Sequence, residues 1–270
     1  MDREFTAADR VLSARDQKRP TCREYIDRIF HDFTELAGDR VFGEDPGILG
    51  GIGNFHGVPV TVIGQQKGRS LEENLKYRFG MPNPEGYRKA VRLMKQAEKF
   101  GRPLITFVDT PGAYPGKEAE ERGQGEAIAR SIEVMSRLEV PCIAVFIGEG
   151  GSGGALALAV ADRIVMLENS IFSILSPEGF ASILWKDAGL WKEAAEAMKL
   201  TAEDLSRLGI CDVIVQERDI AEEAGRDRLF VDTDRVIWEQ LEPLLKLNGR
   251  ELRRGRYRKL RNIGNFNGRN

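Results

Sequence analysis

Cysteine and histidine are scarce in this chain of 270 residues, which contains three cysteines and two histidines. Cys22, Cys142 and Cys211 are far apart and form no Cys-x-x-Cys pair, so we expect reduced core thiols, no disulfide and no metal site. No apolar run approaches the roughly 18 residues of a membrane span, and the start, MDREFTAADR, is too charged for a signal peptide. These absences predict a cytoplasmic protein without a membrane segment.

Acidic and basic residues nearly balance, with a net charge of −2, but they are unevenly distributed. Residues 250–270 carry eight basic residues and one acidic residue, which leaves −9 for the remainder, with 32 basic against 41 acidic residues. Such a tail can contact nucleic acid, a phosphate-bearing ligand or an acidic partner, or remain solvated. We therefore divide the chain into an N-terminal arm at 1–20, one α/β domain at 21–249 and a basic tail at 250–270.

The most informative stretch is residues 142–161, CIAVFIGEGGSGGALALAVA. Its apolar start predicts a buried strand over 143–147, and its small residues from Ala155 onward predict a closely packed helix. The five glycines at 148–154 allow tight turns and close approach of the backbone to a ligand. A strand, a glycine loop and a helix N-terminus together direct unpaired backbone N–H groups at one point, which favours an anion site.

Three chemistries fit this loop, besides a purely structural turn. Gly148-x-Gly150-x-x-Gly153 matches a dinucleotide fingerprint, with Glu168 at the distance expected for a ribose ligand. Gly150-x-Ser152-x-Gly154 matches a nucleophile elbow, but both histidines precede Ser152, whereas the hydrolase triad places its histidine last. The third possibility is an oxyanion hole built from backbone N–H groups.

A second loop, DTPGAYPG at residues 109–116, follows another predicted buried strand at 104–108. Successive parallel strands usually neighbour each other, so the two loops are expected to converge and to contact one oxygen from two sides. A dinucleotide-binding domain does not require the second loop and normally begins with its fingerprint. The oxyanion hole is therefore favoured over the dinucleotide site.

The remaining pattern is that of a mixed α/β protein. Apolar spacing predicts a helix from Thr21 to a stop at Gly38, which would contain His31, and a hairpin over 48–65 that turns at His56. Asn83 and Pro84 predict the start of a long helix. A further helix is expected over 118–138, and a basic segment that includes Lys67 and Arg69 can meet phosphates or remain solvated.

Four segments together resemble the alpha-subunit family of the bacterial acetyl-CoA carboxylase carboxyltransferase. They are FGMPNPEGYRKAVRLMKQAEKFGRPLITFVDTPGAYPG, EERGQGEAIAR, VPCIAVFIGEGGSGGALALAVADR and SPEGFASILWK, and the resemblance extends over about residues 20 to 262. It implies a crotonase-like fold of the ClpP/crotonase superfamily, a spiral of repeated ββα units with flanking helices. Family members often carry a longer helical N-terminal extension, which is mostly absent here.

The resemblance also implies the chemistry, in which CO2 moves from carboxybiotin on a carrier protein to acetyl-CoA and malonyl-CoA forms for fatty acid biosynthesis. By resemblance, the backbone N–H groups of Gly153 and Gly154 stabilise the biotin enolate, with Gly112 and Ala113 as weaker candidates. The substrate pocket would be lined by further residues of the two loops, of a third turn and of the basic segment: Gly150, Gly151, Ser152, Lys67, Arg69, Ser176, Pro177, Glu178 and Gly179.

The implied partners are a separate beta subunit in an α2β2 assembly, the biotin carboxyl carrier protein and, in the full ATP-binding complex, biotin carboxylase. The beta subunit would hold a zinc ribbon and most of the coenzyme A site, and neither a membrane nor a nucleic-acid partner is expected. One alternative is a crotonase-like acyl-CoA hydratase or hydrolase, which would need a carboxylate in the pocket, with Glu149 or Glu178 nearest in sequence. A nucleotide-binding oxidoreductase is the other alternative.

Overall fold

The protein is built around one mixed β-sheet, seen in a computed structural model that describes residues 5–264. Within those residues the sheet has eight strands, in the order β1-β2-β3-β4-β5-β6-β8, and β7 pairs with β5. The β1–β2 and β2–β3 pairs are antiparallel and all others are parallel. The strands are β1 (His31–Glu35), β2 (Ile48–Phe55), β3 (Val58–Gln65), β4 (Leu104–Thr110), β5 (Cys142–Gly151), β6 (Arg163–Leu167), β7 (Ile171–Ser173) and β8 (Val213–Val215).

Helices cover both faces of the sheet, which is why the central parallel strands β4 and β5 are buried along nearly their whole length and are mainly apolar rather than alternating. The described helices are α1 (Ala7–Ala14), α2 (Cys22–Ile29), α3 (Leu71–Lys76), α4 (Pro84–Lys99), α5 (Lys117–Glu121), α6 (Gln124–Arg137), α7 (Ser152–Leu156), α8 (Pro177–Trp185), α9 (Trp191–Met198), α10 (Ala202–Arg207), α11 (Glu223–Leu244) and α12 (Gly249–Asn262). No helix in residues 5–264 is long and apolar enough to cross a membrane.

The core has two main layers, one on each face of the sheet. On one face α4 and α6 contribute Tyr87, Leu93 and Met135, and on the other α2 and α11 contribute Tyr25 and Ile237. All five side chains are fully buried, and each buried large apolar side chain contributes roughly 1.5–3 kcal/mol to folding. The three cysteines are also buried and unpaired, as expected from their spacing.

The antiparallel edge of the sheet corrects one sequence prediction. The hairpin over 48–65 is confirmed, with its turn at His56 and Gly57, both of which have positive φ. The helix predicted from Thr21 to Gly38 is wrong, because α2 ends at Ile29 and β1 follows, so His31 lies in a strand. The helical spacing that included Phe33 gave a wrong prediction, because Phe33 packs on the strand surface, where Gly51 leaves room for its ring.

Two helices begin or end differently from the prediction. The helix expected over 118–138 is divided into α5 and α6, because Gly123 adopts a left-handed conformation at φ 84°. The helix expected from Ala155 begins earlier, at Ser152, and has only five residues. By contrast, α4 starts at Pro84 after Asn83 as predicted.

Both ends of the described chain pack against the central sheet region. In the N-terminal arm, α1 buries Val11 against a small cluster that includes Ile171 and Ala195. In the basic tail, α12 inserts Arg256, which is 1% exposed, so at least this part of the tail is not a solvated extension. Residues 1–4 of the arm and 265–270 of the tail lie outside the described residues.

Candidate functional site

The two glycine loops meet at the carboxyl ends of β4 and β5. These strands pair in parallel, and their register brings Thr110 opposite Gly150. The backbones then approach so closely that a Cβ atom on Gly154 would lie 2.7 Å from the Ala113 nitrogen. The convergence predicted from the sequence is confirmed, and glycine is required at Gly154 because no side chain has space there.

Ser152 is the first residue of α7 and directly follows β5. It is exposed and has φ 50°, a left-handed conformation that is uncommon outside glycine. This geometry resembles the strained elbow of hydrolases, but neither histidine belongs to the site. His56 lies 2.8 Å from Asp234 at the protein surface, and His31 is exposed in β1. The hydrolase triad is therefore not formed.

A charged network lies directly beside the glycine loops. The Lys67 ammonium group, just past the end of β3, lies 2.8 Å from both Asp109 Oδ1 and Glu149 Oε2. The Arg15 guanidinium group reaches the same glutamate, with Nε 2.8 Å from Oε1. Asp109 also accepts the Glu149 backbone N–H at 3.0 Å. Asp109 and Glu149 are thus each held by at least two donors.

The network keeps these groups ionised. Burial alone would raise the pKa of Glu149, but the charges and hydrogen bonds of Lys67 and Arg15 lower it below its ordinary value. Burial acts against the charge of Lys67 as well, yet Asp109 and Glu149 raise its pKa. For Glu178 the hydrogen bond from Arg15 is the main reason that its pKa is lowered.

A single glutamine connects the two loops. Gln65 is fully buried at the end of β3, and its side-chain amide donates to the Gly154 carbonyl at 2.8 Å. Its amide oxygen accepts the Asp109 N–H at 3.1 Å. Sequence reasoning missed Gln65, Asp109 and Arg15. Gln65 and Asp109 could have been identified as site residues because they are polar residues at the ends of buried strands. No feature of the sequence indicated a role for Arg15.

The predicted pocket residues are only partly brought together. A narrow cleft of about 40 Å³ is lined by Gly150, Gly151, Ser176 and Pro177 together with Pro111. The glycine loop at 148–154, the Pro-Gly loop at 109–116 and the predicted turn at 176–179 therefore share one cleft.

The other candidates have structural partners of their own. The Gly179 N–H donates to the Ser176 hydroxyl at 3.1 Å and so caps α8. The Gly112 N–H is taken by the Thr110 hydroxyl at 3.0 Å. Arg69 pairs with Glu24 at 2.7 Å on the exposed surface and does not line the cleft.

The two acidic residues of the alternative functions are also engaged. Glu168, proposed as a ribose ligand for the dinucleotide site, pairs with Arg10 at 3.2 Å and accepts the Glu217 N–H at 2.9 Å. Glu178 pairs with Arg15 at 2.7 Å. In the part of the chain that the structure describes, no group of three or more acidic, cysteine or histidine residues is arranged to hold a metal ion.

Solved structures of low sequence identity share this fold. The chain superposes on a transcarboxylase 12S structure with a TM-score of 0.70 at 20% identity, over 85% of this chain and 42% of that one. It also superposes on a Pseudomonas malonate decarboxylase hetero-tetramer with a TM-score of 0.66 at 18% identity, over 80% of this chain and 86% of that one. The crotonase-like α/β fold predicted above is confirmed.

Sequence relatives are much more similar. The acetyl-coenzyme A carboxylase carboxyl transferase subunit alpha of Clostridium acetobutylicum is 57% identical, over 97% of this chain and 96% of its own length. That of Geobacillus kaustophilus is 56% identical, over 96% of this chain and 80% of its own length. The family model for acetyl co-enzyme A carboxylase carboxyltransferase-like proteins matches residues 2–264. The chain therefore belongs to the acetyl-CoA carboxylase carboxyltransferase alpha-subunit family.

Proposed function

We propose that this chain is the alpha subunit of a carboxyltransferase that moves a carboxyl group from carboxybiotin to acetyl-CoA and so forms malonyl-CoA for fatty acid biosynthesis. The observation that carries the proposal is 57% identity over 97% of the chain to a relative named for this subunit. The working domain would be residues 21–249, between an arm at 1–20 and a tail at 250–270, and the described parts of both pack against it.

The glycine loop suits a role in stabilising negative charge. Gly153 and Gly154 lie in the first turn of α7, where backbone N–H groups have no partner within the helix. Gly154 can approach the Pro-Gly loop only because it has no side chain, and the cleft beside it is lined by Gly150 and Gly151. We infer that the planar ureido ring of biotin would lie against this glycine-lined surface.

The proposed division of labour assigns binding and charge stabilisation to this chain. When bound, carboxybiotin supplies the carboxyl group that is transferred. The N–H groups of Gly153 and Gly154 would donate hydrogen bonds to the ureido carbonyl oxygen and so stabilise negative charge there. An oxyanion-hole donor of this kind is worth roughly 3–4 kcal/mol in the transition state. Of the weaker pair, Ala113 is the better candidate, since the Gly112 N–H is already bonded to Thr110.

The other site residues have supporting roles in this proposal. Lys67 is neutralised by two carboxylates, so it fixes the loops in place rather than attracting phosphate. Ser176 and Pro177 form one wall of the cleft at the start of α8, and Gly179 takes part in the cap of that helix. Neither Ser152 nor Arg69 lines the cleft.

The proposal requires partners. A beta subunit with a zinc ribbon would provide the coenzyme A site in an α2β2 assembly, and the biotin carboxyl carrier protein would deliver carboxybiotin from biotin carboxylase. The fold neighbour from Pseudomonas is itself a hetero-tetramer. We infer that the exposed side of the cleft faces the beta subunit.

The test is the reverse reaction, the biocytin-dependent loss of malonyl-CoA. It should be measured with this chain alone, with a zinc-ribbon beta subunit alone and with the two mixed. We expect activity only in the mixture, because the site is shared. A stable complex without activity would contradict the proposal.

An acyl-CoA hydratase or hydrolase is the second candidate, and the structure argues against it. Such an enzyme needs a carboxyl group that is free to exchange protons in the pocket. Glu149 and Glu178 are both bound to Arg15, and the pKa of each is lowered, so they are poor proton donors near neutral pH. Turnover of an enoyl-CoA or acyl-CoA without biotin would nevertheless favour this alternative.

A further inference from the structure

The segment before β1 crosses the carboxyl ends of the strands and inserts three arginines there. Arg10 pairs with Glu168 at 3.2 Å and with Glu203 at 3.0 Å. Arg19 donates twice to the Ile147 carbonyl, at 3.1 and 2.9 Å. Both side chains are nearly fully buried, at 9% and 4% exposure, so they anchor the segment to the domain.

Arg15, between these anchors, makes a different kind of contact. Its Nε donates to Glu149 Oε1 at 2.8 Å, and its Nη1 donates to Glu178 Oε1 at 2.7 Å. Nη2 reaches the second oxygen of Glu178 at 3.3 Å. One planar guanidinium group thus joins the glycine loop to the first turn of α8, and the shorter, single-headed ammonium group of lysine cannot reproduce this bridge.

The bridge lies between two cavities. The cleft of about 40 Å³ beside Gly150 and Gly151 is lined on one side by Arg15 and Glu149. The same pair lines a second cavity, of about 220 Å³, that also contains Lys67 and Asp109. The Arg15–Glu149 ion pair is therefore part of the partition between them, and its loss would free one wall of the cleft.

We propose that Arg15 is a positioning residue for carboxyl transfer, which holds the glycine loop and the start of α8 at a fixed separation. It acts through Glu149 and Glu178 and does not contact the reacting atoms. This inference rests on the function proposed above. The side chain is 31% exposed, so its removal costs less folding energy than removal of the buried anchors.

The experiment compares three variants in complex with the beta subunit. Arg15→Gln removes the charge, and Arg15→Lys keeps the charge but lacks the planar guanidinium group that bridges Glu149 and Glu178. Arg10→Gln is the control, because it weakens the attachment of the same segment away from the cleft. The reverse reaction should be followed with kcat and with separate KM values for biocytin and malonyl-CoA. Hydrogen exchange at 148–151 and 176–179 measures whether the two walls become mobile.

We expect Arg15→Gln to lower kcat/KM for biocytin about 10- to 100-fold, since small displacements of a reacting geometry have effects of this size. KM for malonyl-CoA should stay within about twofold, because that substrate contacts the other subunit. Arg15→Lys should recover only part of the loss. Exchange should accelerate at both walls in Arg15→Gln, whereas Arg10→Gln should lower the melting temperature and keep both kinetic constants near wild type.

Two results would overturn the inference. Wild-type kinetics in Arg15→Gln would show that the bridge has no bearing on transfer. Equal losses in Arg15→Gln and Arg10→Gln would show that the segment only stabilises the fold. An inactive wild-type complex would instead reject the carboxyltransferase function itself, so the two failures are distinguishable.

Discussion

A Cβ atom on Gly154 would lie 2.7 Å from the backbone nitrogen of Ala113, closer than any real contact of that kind. The two residues belong to different loops, 41 positions apart, which the parallel pairing of β4 with β5 brings together. The absence of a side chain at Gly154 thus allows the two loops of the candidate site to touch. Gly153, its neighbour, has more space, with only Ile128 within reach at 3.4 Å.

This difference makes Gly153 the informative position for the backbone donor. Gly153→Pro removes the N–H in the first turn of α7, where no hydrogen bond within the helix is lost, and Gly153→Ala keeps it with one added methyl group. We expect carboxyl transfer to fall roughly 100- to 1000-fold in Gly153→Pro and to change little in Gly153→Ala. Circular dichroism should confirm folding of both, and equal activities would contradict the donor role.

Lys67 should be important for stability. Lys67→Met would leave Asp109 without its cation and Glu149 with Arg15 alone, at a cost of roughly 3 kcal/mol in the free energy of unfolding. The matched control is Lys117→Met, because Lys117 is 88% exposed and its loss should change stability by less than about 0.5 kcal/mol. Urea denaturation provides the measurement, and similar midpoints for the two variants would refute the role.

The ionised network also predicts a pH dependence of stability. The pKa of Glu149 is lower in the folded protein than its ordinary 4.5, so its contribution is complete above that pH and is lost as the pH falls through the lowered value. The difference in unfolding free energy between wild type and Glu149→Gln should therefore be constant near neutral pH and shrink in acid. A difference that grows on acidification would mean that the carboxylate is destabilising.

At the alkaline end the sign is reversed for Lys67. Its pKa is raised above 10.5, so its contribution is complete below that pH and is lost only as the pH rises through the folded value. Between the lowered pKa of Glu149 and the raised pKa of Lys67, both groups keep their charges. The pH dependence of transfer near neutrality should therefore come from groups other than Lys67 and Glu149.

The basic tail contains a structural arginine. Arg256 of α12 pairs with Asp162 at 2.8 Å and donates to the carbonyl groups of Met135, Leu138 and Val140. Arg256→Met would leave Asp162 buried without its cation, and we expect a loss of roughly 3–5 kcal/mol.

The control for this prediction lies on the same helix. Arg254 is exposed, so Arg254→Met should leave the unfolding free energy within about 0.5 kcal/mol of wild type. Thermal denaturation of the two variants gives the comparison. A melting temperature for Arg256→Met equal to that of the control would mean that α12 is dispensable for the fold.

Several parts of the fold were predictable because their signals are local. Proline at the first position fixed the start of α4, and the His56–Gly57 turn fixed the hairpin. The apolar runs of β4 and β5 identified central strands, and the rule that successive parallel strands neighbour each other predicted that their loops meet. Gly150 and Gly151 were named as pocket residues by the family resemblance, and both line the cleft.

Other parts depended on contacts between distant segments. Phe33 fits the helical spacing of the residues before it, but it lies in β1, where its ring packs over Gly51. Arg15 lies 134 residues from Glu149, and no spacing rule connects them.

By itself, then, the sequence determined the family, through long segments that resemble it. It also determined the central strands and the two glycine loops, because backbone conformation and apolar periodicity are properties of neighbouring residues. Only the tertiary structure decided which charges neutralise each other beside those loops. Lys67 was a candidate phosphate ligand as an isolated charge and became an internal ion pair once Asp109 and Glu149 were folded against it. Electrostatic energy depends on distance in space, and that distance is fixed by the packing of the whole chain.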